Sequence, residues 1–212
     1  ATTKRAGLVV LATGLGKTWL SAFDSRPYNK VLFIAHREEI LGQALSTFRA
    51  IRPHDRLGRY TGTDKQPGAA VLFASIQTLS RLEHLRKFAP AEFDYIVVDE
   101  FHHAEARTYR KVIEYFKPSF LLGLTATPER SDGADLLSLC EDNLVYRCDL
   151  TTGIQKELLC PFRYFGVPDM VDYKNIPWRN KRFDEDKLTE AVATIARAEN
   201  TLDQYRKRGG LR

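Results

Sequence analysis

Lys17 and Thr18 follow Gly14 and Gly16 in the stretch LATGLGKTWL, and Asp99 and Glu100 stand side by side in VVDEFHH. Both sets suit phosphate chemistry. A phosphate cradle needs a strand that ends, a turn tight enough to aim several backbone N–H groups inward, and a helix whose N-terminus adds its dipole. AGLVVL (6–11) is a short apolar run, Gly14 and Gly16 permit the turn and the close approach of an anion, and KTWLSAF opens a helix. Lys17 would then reach the terminal phosphates and the Thr18 hydroxyl would bind magnesium. Asp99 would hold the same ion, mostly through water, while Glu100 orients or deprotonates a water in line with the γ-phosphate. Each set alone has a plainer reading: a Gly-rich turn with an incidental Lys, and a helix cap. The fuller phosphate-loop pattern also wants Gly where this chain has Leu11, so the match is to GxGKT. The two sets together point to nucleotide hydrolysis.

Such groups need a scaffold that brings them to one place. Five apolar runs, GLVVLA (7–12), VLFIA (31–35), AVLFAS (70–75), YIVVDE (95–100) and FLLGLTA (120–126), predict strands buried on both faces, hence a parallel sheet. Ile40, Ala44, Phe48 and Ile51 recur at helical spacing, as do Tyr109, Val112, Ile113 and Phe116. The alternation predicts a doubly wound α/β domain over residues 1–150, mostly parallel, with helices on both faces. Ligands in such sheets sit beyond the carboxyl ends of the strands, where every motif above falls. Past residue 150 the pattern changes. LCPFRYFGVP reads as one further strand, VDYKNIPWRNKRF as an irregular connector, and DEDKLTEAVATIARAENTLDQYRKRGG as one long amphipathic helix. Its stripe is Leu188, Val192, Ile195, Leu202 and Tyr205.

The composition is that of an ordinary soluble globular protein: 212 residues, 43% hydrophobic and 28% charged. No apolar run approaches membrane-spanning length and nothing resembles a signal peptide, so no membrane partner and a cytoplasmic location are expected. Cys140, Cys148 and Cys160 form no CxxC and are expected to be buried free thiols in a reducing compartment rather than metal ligands. The net charge of +5 permits nucleic-acid contact without demanding it.

With both motifs in hand, the chain resembles the superfamily 2 helicases and translocases of the DEAD/DEAH type. Five stretches match in order: ATGLGKT (motif I, 12–18), AHREEIL (motif Ia, 35–41), FASIQTL (motif Ib or Ic, 73–79), DEFH (motif II, 99–102) and LTATPER (motif III, 124–130). The resemblance covers residues 7 to about 150 and implies the first of two RecA-like domains, using ATP and Mg2+. It implies that Thr13, Gly14, Leu15, Gly16, Lys17 and Thr18 cradle the nucleotide. It also implies that Thr18 and Asp99 hold the ion and that Lys17, Asp99 and Glu100 carry catalysis. His102 would couple that site to Thr125 and Thr127. Arg37, with residues near Ser75 and Thr78, would contact the phosphodiester backbone of one nucleic-acid strand, DNA in preference to RNA.

Ala12 stands where the family often has Pro, and Gln43 falls one residue later than in the common motif Ia. Both variants, with LTATPERSDGADLL and DYKNIPWRNKRF, resemble the bacterial branch whose helicase core can be joined to a phospholipase D-like nuclease domain. No nuclease motif and no QxxGRxxR-like stretch is present, and only a dozen residues precede the loop. The chain therefore reads as a piece of a longer protein, residues 151–212 leading toward a second RecA-like domain. That domain would supply an arginine finger, without which the piece should hydrolyse ATP poorly.

Several residues keep two readings. His103 beside His102 suits a solvated or capping role better than a metal pair, since adjacent side chains point apart. Arg49, Arg52, Arg56 and Arg59 either line a nucleic-acid path or decorate a solvated loop around Pro53. For the chain as a whole, a P-loop transferase of the kinase kind and a non-catalytic scaffold are the alternatives. LTATPER and DEFH argue against the first, and the intact Lys17, Thr18, Asp99 and Glu100 against the second.

Overall fold

All five apolar runs form strands in the computed structural model, which describes residues 4–104, 106–127, 136–168, 171–179 and 182–209. Motif III beyond Thr127, the stretch from there to Asp135, Glu105, and Asn180, Lys181 and Gly210 lie outside the described residues. The chain divides into two units, Ala1–Pro161 and Phe162–Arg212.

In the first unit the order is β1 (Ala6–Leu11), α1 (Lys17–Asp24), β2 (Val31–Ala35), α2 (Glu38–Ile51), β3 (Leu57–Tyr60), β4 (Val71–Ser75), α3 (Ile76–Leu79), α4 (Leu82–Leu85), β5 (Tyr95–Val98), α5 (Arg107–Tyr115), β6 (Phe120–Thr125), β7 (Leu144–Cys148) and α6 (Leu150–Gln155). The sheet runs β3-β4-β2-β5-β6-β1-β7, every neighbouring pair parallel. A parallel sheet brings all strand carboxyl ends to one rim, so the turns after β1, β2, β4, β5 and β6 share it.

Side chains of each strand alternate between two apolar layers. Leu8, Val10, Leu32, Ile34, Ile96 and Val98 face one layer with residues of α3, α4 and α5. Val9, Leu11, Val31, Phe33, Tyr95 and Val97 face the other with residues of α1 and α2. Helices therefore cover both faces, which is why the central strands are apolar throughout rather than alternating. β3 and β7 are the edge strands that the sequence pattern misses. Each has a single neighbouring strand in the sheet, β3 being met on its outer side by an isolated bridge between Tyr60 and Lys65. Three of the four β7 residues before Cys148 are the large apolar side chains Leu144, Val145 and Tyr146, and all stay exposed. β3 alternates between half-buried and buried residues.

One close approach fixes the turn after β5. The Phe101 ring is fully buried, and a Cβ on Gly123 of β6 would sit 2.7 Å from its Cγ. A ring locked in the core cannot move aside, so Gly123→Ala is expected to cost about 1–3 kcal/mol of stability. A chemical denaturation midpoint equal to that of the unsubstituted protein would contradict this packing.

The expected strand in LCPFRYFGVP, which crosses from the first unit into the second, is absent: residues 159–168 are irregular. Pro161 and Pro168 each lack the N–H that a strand ladder needs. An antiparallel pair of two-residue strands, β8 (Trp178–Arg179) and β9 (Arg182–Phe183), precedes α7 (Glu185–Val192) and α8 (Ile195–Arg208). The single long helix is thus two. Thr194 takes an extended backbone and its side chain accepts from the Arg197 N–H, starting a new helix as Asp184 does for α7. Cys140 and Cys148 are buried as expected, but Cys160 is exposed, because it lies in the irregular segment rather than in an element. Burial pushes the Cys140 thiol up to about 12, so it is inert at neutral pH.

Candidate active site

The loop after β1 turns on Gly14 (φ 92°) and Gly16 (φ 81°), both in the left-handed region that side chains avoid. α1 starts directly from Gly16 with no side-chain cap and no acid in its first turn. Its N-terminal N–H groups and the positive end of its dipole therefore remain for an anion. Lys17 lies back across the loop, its Nζ donating to the Leu11 carbonyl at 3.1 Å. Thr18 occupies the first turn, half-buried.

Asp99 follows β5, its N–H donating to Ile34 O at 3.0 Å. Its carboxylate is buried, and Oδ1 has no hydrogen-bond partner among the described residues. Burial first, and the neighbouring Glu100 second, raise its pKa to about 6, while the Lys17 ammonium pulls it back down. A buried carboxylate with a bare oxygen is a group that gains from a cation. This donor set fits magnesium, with Asp99 and the Thr18 hydroxyl as the residues that would hold it.

The raised pKa has a stability consequence. A carboxyl whose folded pKa of about 6 exceeds its ordinary 3.8 opposes folding above pH 6. The penalty shrinks as pH falls through 6 and disappears below the ordinary value. Without magnesium, Asp99→Asn should therefore stabilise the protein at pH 8 by about 1–3 kcal/mol. That gain should fade between pH 6 and pH 4. Thermal melts of both proteins across this range test it, and a stabilisation independent of pH would refute the assignment.

Glu100 sits in the left-handed region at φ 51°, ψ 51°, an uncommon conformation for a residue with a side chain. From that turn its Oε2 lies 3.2 Å from Nδ1 of His102. The same Nδ1 is 3.2 Å from Thr125 Oγ1 at the end of β6. The Thr125 hydroxyl donates to the Thr127 carbonyl at 3.1 Å and accepts from the Thr127 N–H at 3.2 Å. The one Nδ1 of His102 thus lies between the Glu100 carboxylate and the Thr125 hydroxyl, 3.2 Å from each. One continuous chain, Glu100–His102–Thr125–Thr127, thus joins the turns after β5 and β6.

At the outer rim, Arg37 is exposed at the start of α2. Ser75 and Thr78 are buried, their hydroxyls bonded to each other at 2.9 Å while Ser75 also caps α3. Both side chains therefore shape the turn after β4 from inside. The exposed member of that turn is Gln77, whose Nε2 donates to the His36 carbonyl at 2.8 Å.

Two of the four arginines in question have internal work. Arg52 is buried and donates to Ser25 O at 2.6 Å, to Tyr28 O at 2.8 Å and to Asp55. Arg59 lies 3.7 Å from Glu38 and 3.6 Å from Asp64. His103 is half-buried rather than solvated, its ring 4.2 Å from that of His102. An apolar hollow of about 490 Å³ also adjoins the phosphate loop, with Leu15, Leu20, Tyr146, Cys148 and Leu158 in its lining. Tyr146 and Leu158 belong to the edge strand and the segment after α6, where no motif or period marks them.

Fold and site together define a RecA-like domain of the superfamily 2 helicase class. The family model described as type III restriction enzyme, res subunit, matches residues 1–130, and the chain belongs to that family. IRC3 of Saccharomyces cerevisiae, whose name assigns it provisionally to the ATP-dependent helicases, is 33% identical over 224 residues, covering 96% of this chain and 32% of that protein. The DNA 3'-5' translocase XPB2 of Sulfurisphaera tokodaii is 28% identical over 155 residues, covering 68% of this chain and 32% of its own length. The helicase domain of Pyrococcus furiosus Hef superposes with a TM-score of 0.57 at 25% identity, covering 68% of this chain and 35% of Hef's. The chain thus spans about a third of the length of these relatives. No helix among the described residues is long and apolar enough to cross a membrane.

Proposed function

We propose that this chain is the first RecA-like domain of an ATP-driven nucleic-acid motor, a helicase or translocase, that acts on DNA. The observation that carries the reading is the Glu100–His102–Thr125–Thr127 chain set beside a phosphate loop and a buried, cation-hungry Asp99. Lys17 and the loop from Thr13 to Thr18 hold the ATP phosphates, aided by the uncapped end of α1. Thr18 and Asp99 would hold magnesium, which when bound would offset the charge of those phosphates. Glu100 takes the proton of the attacking water. His102, in reach of both Glu100 and Thr125, ties the Glu100 carboxylate to the rim where a strand would lie.

Arg37, exposed at the start of α2, would meet a phosphodiester, and contact with backbone rather than bases suits a motor that must pass any sequence. Ser75 and Thr78 would act there by holding the turn, since their hydroxyls face each other. The preference for DNA draws support from relatives named as DNA-acting, XPB2 and the Drosophila melanogaster helicase Fancm among them. A second RecA-like domain in the full-length protein, reached through residues 151–212, would complete the site. The free thiols of Cys140, Cys148 and Cys160 suit a reducing, cytoplasmic setting.

The deciding experiment is steady-state ATPase of the full-length protein with and without DNA. Stimulation by DNA supports the motor reading. ATP turnover indifferent to DNA and RNA, with a phosphorylated small molecule as product, would establish the transferase alternative instead.

A further inference from the structure

A second line of contacts runs from the rim to Glu100 and does not pass through Thr125. It starts at Arg37. The preceding residue, His36, is pinned through its carbonyl by Gln77 at 2.8 Å. Its ring meets that of His103 edge-on, with centroids 5.3 Å apart and planes at 69°. His103 in turn lies 4.2 Å from His102, whose Nδ1 reaches Glu100 at 3.2 Å. On its other side His103 stacks toward the buried Tyr109 of α5, centroids 6.3 Å apart, which leaves its ring little room to swing. His36 Nδ1 is buried and has no hydrogen-bond partner among the described residues. At this atom the ring is therefore held by packing, not by a polar bond.

Packed rings of this kind do not deform continuously. A shift of the His36 backbone must be passed to the next ring or resisted by it. Pulling on Arg37 by a strand phosphate would displace the adjacent His36 against His103, and through it His102 and the Glu100 carboxylate. We propose that His36 and His103 are positioning residues that transmit strand binding at Arg37 to Glu100, in parallel with the His102–Thr125 link. The inference rests on the motor reading above.

The test uses the full-length protein and saturating DNA, measuring ATPase with and without the strand. His36→Ala and His103→Ala are each expected to leave the DNA-free rate within about 2-fold while lowering the stimulation ratio by about 5-fold or more. Because both act on one line, the double variant should be no worse than the more impaired single. His36→Phe, which keeps the edge-on ring and discards the orphan nitrogen, should restore the ratio. Gln77→Ala removes the tether from an exposed position without touching the core, and should lower the ratio even if a histidine variant fails to fold.

Unchanged ratios in the alanine variants would overturn the inference. So would DNA-free and stimulated rates that fall together, which is the mark of a purely structural role, or losses that multiply in the double variant. A parent protein that DNA does not stimulate at all would sink the motor reading itself. A stimulated parent with fully stimulated variants would sink this line alone.

Discussion

Lys17→Ala in the full-length protein is expected to lower ATP turnover by about 10²–10³-fold, the usual loss when one preorganised charged donor leaves a transition state. The fold should survive. Lys17 is half-buried at the mouth of the loop, and among the described residues its ammonium donates to the Leu11 carbonyl. Losing such a bond costs only about 0.5–1.5 kcal/mol, against the apolar layers on both faces of the sheet. The ammonium is also the cation that opposes the upward shift of Asp99, so its removal should raise the Asp99 pKa further. Turnover and melting temperature together decide the matter. Wild-type turnover in the variant would remove Lys17 from the phosphate site, and a collapsed melting temperature would make it a structural residue.

Glu100→Gln should separate binding from chemistry. An amide can still accept a hydrogen bond from water but cannot take its proton, so turnover should fall by about 10²–10⁴-fold while ATP affinity stays near that of the parent. The substitution is conservative in two further respects. Gln keeps a side-chain oxygen to accept from His102 Nδ1, now 3.2 Å from the carboxylate, and it places no new demand on the left-handed turn. Single-turnover hydrolysis and nucleotide binding measured on the same preparation distinguish the outcomes. Normal hydrolysis would make Glu100 a turn residue, and lost binding would give it a role in holding the ion.

The two ligand motifs and the five inner strands were legible in the amino-acid sequence for a shared reason. A phosphate loop must be built from consecutive residues, since the N–H groups of one turn converge only if Gly14 and Gly16 admit it. A strand covered on both faces must be apolar at every position, and β1, β2 and β4 are buried along their whole length. Chemistry and burial here leave a local, contiguous record.

What the sequence left open depends on partners far along the chain. β3 and β7 lie at the sheet's edges, where a single neighbouring strand relaxes the demand for apolar residues, so only the topology reveals them. Thr194 looked like one polar position in a helical stripe, and only its extended backbone and bond to the Arg197 N–H show that a helix restarts there. Arg52 read as a candidate for a phosphate until Ser25 and Tyr28 closed around its guanidinium. Resemblance places Ser75 and Thr78 beside the strand, whereas the packing turns their hydroxyls toward each other. The shifted acidity of Asp99 needs burial and the approach of Lys17 across the sheet, and the His36–His103 contact needs β2 beside β5. The residues that can do chemistry were written in the order of the chain; which of them meet was decided by strand order and burial, because electrostatic and packing energies depend on distance in space.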